Sequence, residues 1–242
     1  MKKLAFLSTL LVTAAVLAGA CSMQGGEEPQ VGKMQHESES VDPKDAQSVR
    51  AQFKMGAGEL NLTGGADKLM EGDFSYNVVD WKPEVSYDVS GDEGELVVRQ
   101  GGSKDSNLTG KARNEWDIRL NDELPTDLVV QIGAGESDLD LDSLTLTGLK
   151  LQMGAGKTTV DLTGDYARGF DASIQGGVGE ATVELPSEVG VKAKAQGGLG
   201  KINAEGLERV GDSFVNDAYG ESDVTLNVEV QGGVGEINLQ VV

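Results

Sequence analysis

A six-residue motif recurs six times along this chain: Gln or Lys, any residue, Gly, then Ala, Val or Leu, Gly, and Glu or Lys. Its copies begin at Lys54, Gln131, Gln152, Gln175, Gln196 and Gln231. The first motif glycines are Gly56, Gly133, Gly154, Gly177, Gly198 and Gly233, so three consecutive intervals run 21, 23 and 21 residues. A period of that length suits one coil of a solenoid, in which each unit buries its apolar face on the next. The chain is therefore expected to be all-β, a single-stranded, β-helix-like stack of 21–23-residue coils.

Apolar residues around each motif alternate with period two, as in Val130, Ile132, Ala134 and Leu151, Met153, Ala155. One buried strand face explains that pattern. A volume rule runs through these triplets. Where the middle residue is Ile or Met the third is Ala, and where the middle is Gly the third is Val or Leu. Compensating sizes are expected of a close-packed interior, so Ala134, Ala155, Val178 and Leu199 read as inward neighbours. Past the second glycine the apolar set slips by one, to Leu139 and Leu141, Val160 and Leu162, Val183 and Leu185, Ile237 and Leu239. A slip reverses every side chain unless an extra residue is absorbed. Gly58, Gly135, Gly156, Gly179, Gly200 and Gly235 stand at that point, where a bulge or corner with positive φ is expected. Glu59, Glu136, Lys157, Glu180, Lys201 and Glu236 follow them and read as a charged ladder, alternating Glu, Lys, Glu, Lys over the four most closely spaced coils.

The regions outside the regular repeat divide the chain further. Lys2 and Lys3 precede the apolar run Leu4–Leu17, which ends in Leu17-Ala18-Gly19-Ala20-Cys21. That order reads as a signal peptide over 1–20. Cys21, the sole cysteine, excludes an internal disulfide. Residues 21–47 carry Gly, Glu, Ser and Pro with no apolar period and read as a flexible tether holding His36, the sole histidine. Residues 48–125 read as an N-terminal β module that caps the stack, with strands at Phe74–Tyr76, Val85–Val89 and Leu96–Val98 around a Ser90–Gly94 turn. The repeat domain spans 126–242, interrupted by a polar loop near 208–222.

Two resemblances follow from these residues. The segment ending at Cys21 resembles the bacterial lipobox, which implies a diacylglyceryl thioether on Cys21 and an anchor at the extracytoplasmic face of a membrane. Trp116-Asp117-Ile118-Arg119-Leu120, Leu124-Pro125, Leu128-Val129-Val130 and Gly133-Ala134-Gly135-Glu136 with Leu139-Asp140-Leu141 resemble the toast-rack family over about residues 48–242. That family is similar to the C-terminal domain of LiaF-like cell-envelope stress proteins. The resemblance implies a stack of strands, and a role in modulating a membrane sensor kinase. LiaF-like proteins carry transmembrane helices before this domain, whereas this chain has the lipobox-like segment.

Composition narrows the chemistry. The chain holds 20 Lys+Arg against 40 Asp+Glu, a net charge of −20 that disfavours nucleic acid and direct docking on anionic lipid. The Gly-x-Gly pairs lack the third glycine, helix and βαβ setting of a dinucleotide loop, and no Gly-Lys-Ser/Thr marks a phosphate loop. With His36 alone, histidine-based triads and zinc sites are excluded. Asp138, Asp140 and Asp142 alternate with Leu139 and Leu141 on one outer face; they are the only candidates for a metal, Ca²⁺, against the plainer reading of a solvated face. No cofactor and no catalytic residue is expected. The leading expectation is a membrane-anchored, non-catalytic binding scaffold, with a sensor-kinase regulator and a carbohydrate-active β-helix enzyme as alternatives. The last strand, Ile237–Val242, is expected to lie uncovered and to pair with a protein partner or a second copy.

Overall fold

The computed structural model describes residues 31–102 and 111–242. The expected signal peptide and Cys21 lie outside them. The elements are β1 (Val31–Val41), β2 (Ser48–Thr63), β3 (Met70–Val78), a 3-10 turn at Val79–Trp81, β4 (Pro83–Ser90), β5 (Glu93–Gln100) and β6 (Asn114–Leu120). The rest are β7 (Thr126–Asp140), β8 (Leu146–Asp161), β9 (Asp171–Leu185), β10 (Gly190–Glu205), β11 (Glu208–Val210), β12 (Ser213–Val215) and β13 (Thr225–Val241). Together they form one 13-stranded sheet. Among the described residues, no helix is long and apolar enough to cross a membrane.

Six long strands, one per motif copy, lie parallel in the order β2-β7-β8-β9-β13-β10. Each is a bent rung. Leu146, which opens β8, pairs beside Thr126, which opens β7, yet the chain reaches it from Asp140 through residues 141–145 alone. Those few residues span at most ~20 Å, while a straight 15-residue strand would be about 50 Å long. The two ends of β7 must therefore approach, and the strand must turn back on itself. It turns at Gly135, where φ is +138, and the equivalent Gly58, Gly156, Gly179, Gly200 and Gly235 all lie between +136 and +147. The expected corner is present in every rung.

Both arms of each rung face one core. Leu128, Val130 and Ile132 of the first arm and Leu139 and Leu141 of the second join a continuous apolar cluster that runs through the stack. The corner itself departs from expectation. Ala134, Ala155, Val178 and Leu199 face solvent, with Val178 57% and Leu199 72% exposed. The third motif residue sits at the apex of the bend, where the backbone has already turned away from the core.

The compensation of sizes acts instead between the middle motif residue and the residue five positions on, across the bend. A Cβ on Gly232 would lie 3.2 Å from Ile237 Cδ1, and one on Gly197 would lie 3.8 Å from Ile202 Cδ1. The pairs read Ile132 with Ser137, Met153 with Thr158, Gly176 with Ala181, Gly232 with Ile237 and Gly197 with Ile202, whereas β2, against the cap, sets Met55 with Leu60 and does not follow the rule. Ser137 and Thr158, on adjacent rungs, are buried and hydrogen-bonded to each other through their hydroxyls. Where Gly176 meets only Ala181, a cavity of about 30 Å³ remains, bordered by Met153 and Ile237.

The order of rungs corrects a second expectation. β13 lies between β9 and β10, paired along its length with both. Its closing strand, Ile237–Val242, is thus interior and offers no free edge. The charged row consequently reads Glu59, Glu136, Lys157, Glu180, Glu236, Lys201. Glu180 and Glu236 are like-charged neighbours, eased by Asn238 Nδ2, which donates to Glu180 Oε1 at 3.2 Å. Within this row, Lys201 Nζ to Glu236 Oε1 at 3.9 Å is the ion pair observed among the described residues.

The cap is larger than the expected module. β5 covers the first arm of β2 and β6 its second arm, both in parallel. β4 extends β5, while β3 and then β1 extend β6. Strand β1 falls within the stretch read as tether: residues 31–41 pair antiparallel with β3. It carries no apolar period because polar contacts hold it. Tyr76 Oη donates to Glu37 Oε1 at 2.9 Å, Lys82 Nζ bonds the same oxygen at 2.9 Å, and His36 Nδ1 lies 2.8 Å from Ser75 Oγ. Trp116 is fully buried in the cap, edge-on to Phe74 at 5.4 Å, and its Nε1 donates to Asn114 Oδ1 at 2.9 Å. The polar loop near 208–222 contains a second hairpin, β11–β12, whose β12 meets β10 at Lys192 and Ala193.

Candidate functional site

The six corners stack into a ridge of glycine backbone. A Cβ on Gly154 would meet the carbonyl oxygen of Gly133 at 2.4 Å, and one on Gly177 would meet that of Gly154 at 2.2 Å. The first motif glycine is therefore required by the closeness of rungs, the second by that closeness and by its positive φ. Beside the ridge, on the outward face of the first arm, the leading motif residues line up as Lys54, Gln131, Gln152, Gln175, Gln231 and Gln196. Gln131 Nε2 donates to Gln152 Oε1 at 3.0 Å, and Gln152 Nε2 to Gln175 Oε1 at 3.2 Å. Gln231 leaves the ladder and donates to Glu229 at 2.8 Å.

A groove of about 880 Å³ runs along this ladder. It is lined by Lys54, Gln131, Gln152, Gln175 and the glycine backbone of the rungs, and by Trp81 and Arg99 of the cap. That volume lies within the range of small-molecule and polymer clefts. Glutamine amides offer both a donor and an acceptor, and the bare glycine backbone gives a flat surface. Among the described residues, the groove presents hydrogen-bonding amides and two cations, Lys54 and Arg99, the latter paired with Glu84.

At the groove's capped end the geometry is fixed by two amides. Gln100 Oε1 accepts from the amides of Gly56 at 2.9 Å and Ala57 at 3.2 Å, and from Asn114 Nδ2 at 3.0 Å. Asn114 Nδ2 also donates to Ala57 O at 3.0 Å. These side chains close the corner of β2 where β5 has ended and β6 has not begun. The glutamines were legible as motif residues but not as a binding surface. Their recurrence at an outward position is the signal that identifies it.

The acidic row stands elsewhere, on the outer face of the second arm. Asp138, Asp140 and Asp142 are exposed and alternate with buried Leu139 and Leu141. Burial, then the neighbouring Asp142 charge, raises the carboxyl of Asp140 above its ordinary value, with Asp161 adding to it. Tyr166 packs under the same corner, donates to Leu141 O at 3.1 Å, and is held protonated chiefly by burial. Among the described residues, no three His, Cys, Asp or Glu side chains are gathered as a metal site would need.

Bent parallel rungs, a capped end and a glycine ridge define a β-repeat scaffold of the solenoid class. The model for the N-terminal domain of toast_rack, DUF2154, matches residues 30–184, and the chain belongs to that family. The match begins just before β1 and ends within the rung β9, whereas the resemblance was expected over about residues 48–242. A protein from Clostridium sporogenes, provisionally named a cell adhesion protein, has a crystal structure similar to this chain. It is 40% identical, covers 87% of this chain and 100% of its own, and superposes with a TM-score of 0.85. Proteins provisionally named adhesins, from Bacteroides fragilis and Parabacteroides merdae, are each 13% identical. They cover 90% and 87% of this chain and 100% and 97% of their own, with TM-scores of 0.32 and 0.29. No curated protein matches the chain.

Proposed function

We propose that this protein is a lipid-anchored, non-catalytic binding scaffold that displays its glutamine-lined groove outside the cell to an extended polar polymer, a glycan or a peptide strand. The observation that carries this reading is the ladder Gln131-Gln152-Gln175 beside bare glycine backbone in a groove of about 880 Å³. A rigid rung stack presents those amides at the ~4.8 Å spacing of strands, so successive units of a polymer meet equivalent partners. The name of the Clostridium sporogenes relative supports a role in adhesion. The lipobox-like segment ending at Cys21 supports the anchor, since two acyl chains hold where one is marginal.

Cells lacking the protein should lose attachment to host or matrix surfaces. Complementation with Gln131→Ala/Gln152→Ala/Gln175→Ala should fail to restore it despite normal surface display. Full attachment by that triple variant would remove the groove from the account. Cys21→Ser should abolish acyl labelling and release the protein from membranes; retention would refute the anchor. Family membership favours one second reading, control of an envelope-stress kinase as in LiaF-like proteins. Deletion should then change a cell-wall stress reporter, and an unchanged reporter under several wall antibiotics would exclude it.

A further inference from the structure

The two ends of the stack are built differently. At β2, both arms and the corner are covered by β5, β6 and the Gln100–Asn114 amides. At β10, strand β12 covers only Lys192 and Ala193. Among the described residues nothing pairs with the rest of that edge, from Lys194 to Glu205, across both arms and the corner. Four apolar side chains of the last rungs are exposed there: Val178 57%, Val234 47%, Leu199 72% and Ile202 39%. A bare edge beside exposed apolar groups is a template for another strand.

We propose that the occupant is a second copy of this chain, joined β10 to β10 about a two-fold axis through the corner. β1, β4 and β11 also keep a free edge, but β10 pairing with any of them would be heterologous and would not close, whereas β10 with β10 is isologous, and a two-fold makes that pairing antiparallel. The bulge at Gly200 makes such a pairing workable. Inward residues are Val191, Ala193, Ala195 and Gly197 before the corner, and Ile202 and Ala204 after it. Inward therefore meets inward only where an odd-numbered residue faces an even-numbered one. The register centred between Leu199 and Gly200 satisfies this and also uses the whole free edge.

In that register Ile202 faces Gly197 of the other copy and Ala204 faces Ala195, each pair occurring twice. Ile202 over Gly197 repeats between copies the large-on-small fit already found within the rung. Backbone direction agrees. Val191 N donates towards this edge, to Asn216 Oδ1 at 2.8 Å, so the inward residues carry their amides and carbonyls on the free side. Those pairs are thus of the hydrogen-bonded kind that exchanges two bonds.

Charge favours the same register. On the outward face, Lys194 stands opposite Glu205 of the other copy, again twice. Lys194 already contacts Asp212 at 2.8 Å, and Glu205 adds a second carboxylate to a protonated amine. Lys192, Lys194 and Lys201 make this edge a basic exception in an acidic chain. The pairing ends where it should: β12 covers the edge up to Ala193, and Gly206, with φ +71, turns the partner strand away.

The test uses the full-length protein in membranes, with Lys194→Cys and Glu205→Cys carrying different tags. Co-expression and mild oxidation should give a disulfide-linked pair containing both tags, which neither variant gives alone. Lys194→Glu and Glu205→Lys should each weaken dimerisation about tenfold, and Lys194→Glu/Glu205→Lys should restore it. Restoration separates the cross-copy pair from loss of the Asp212 contact. A chain that sediments as a monomer at all concentrations would overturn the proposal, as would equal linkage of Gln196→Cys with Glu205→Cys, or discovery of a different protein's strand on this edge. None of these outcomes depends on what the glutamine groove binds.

Discussion

Replacing Gly156 by alanine should be among the most damaging single-methyl additions in this protein. Its φ is +136, and an added Cβ would stand 1.8 Å from the carbonyl oxygen of Gly135 on the neighbouring rung. Real Cβ atoms essentially never approach closer than 3.0 Å, so β7 and β8 must part there by at least 1.2 Å. Stretching a ladder bond of about 2.9 Å by that amount breaks it. Losing the two bonds that flank the corner costs roughly 1–3 kcal/mol. Holding alanine in the left-handed backbone adds ~1–3 kcal/mol. The sum is about 2–6 kcal/mol, a large share of a domain's ~5–15 kcal/mol stability. Gly91→Ala is the control, because φ is +63 there but nothing lies within 4 Å of the new methyl. It should cost about 1–2 kcal/mol. Urea unfolding followed by the fluorescence of buried Trp116 reads both, provided the slope is unchanged. A Gly156→Ala penalty equal to that of Gly91→Ala would refute the claim that rung spacing selects glycine at the corners.

The size compensation across the bend makes a contrast. Gly176→Ala places its Cβ 3.9 Å from the carbonyl oxygen of Gln231 and borders the small cavity, so its stability should hold or rise, by up to ~1 kcal/mol. Gly232→Ala drives its Cβ to 3.2 Å from Ile237 and should lose about 1–2 kcal/mol, recovered in Gly232→Ala/Ile237→Val; equal effects at the two glycines would sink this. Trp116→Ala, emptying a fully buried site, should cost ~3–5 kcal/mol and loosen β3 and β6 in hydrogen exchange before the rungs β8 and β9. A raised carboxyl binds its proton more tightly in the folded chain, so ionising Asp140 costs stability as pH rises. Asp140→Asn should accordingly stabilise at neutral pH, with the gain fading once acid protonates the group in both states. A gain that grew on acidification would contradict the assignment.

The rungs were legible because each carries its own local instruction. Period-two alternation marks the buried arm, and a glycine where the alternation slips marks the corner. Alternation alone could not say that the third motif residue is exposed. Val178 and Leu199 fit the inward parity of the first arm, and only the position of the bend turns them outward. Strand β1 was missed for the opposite reason. Its residues, Gln35 to Ser40, are polar on both faces, and what holds them is Tyr76, Lys82 and Ser75 from distant parts of the chain. The glutamine groove was half visible: recurrence placed the residues in register, while Trp81 and Arg99 join them only through the cap.

Strand order lies beyond what a repeat can encode, because neighbouring rungs share the same parity, corner and apolar volume. β13 and β10 are nearly interchangeable by pattern. Insertion of β13 beside β9 is compatible with Gly232–Ile237 and Gly197–Ile202 alike, since both rungs set Gly against Ile. What distinguishes them is the connection. β10 follows β9 through residues 186–189, whereas β13 follows the long segment carrying the β11–β12 hairpin. That segment reaches back over β10, where Asn216 bonds Val191 N, Pro186 O and Val189 O, and so leaves a slot one strand wide between β9 and β10. Had the rungs stacked in chain order, Lys201 would have lain beside Glu180 in the interior and the final strand would have formed the edge. The observed order instead brings Lys192, Lys194 and Lys201 to the open end. An asymmetric insertion thereby decides which charges, and which exposed leucine, this scaffold offers to its next neighbour.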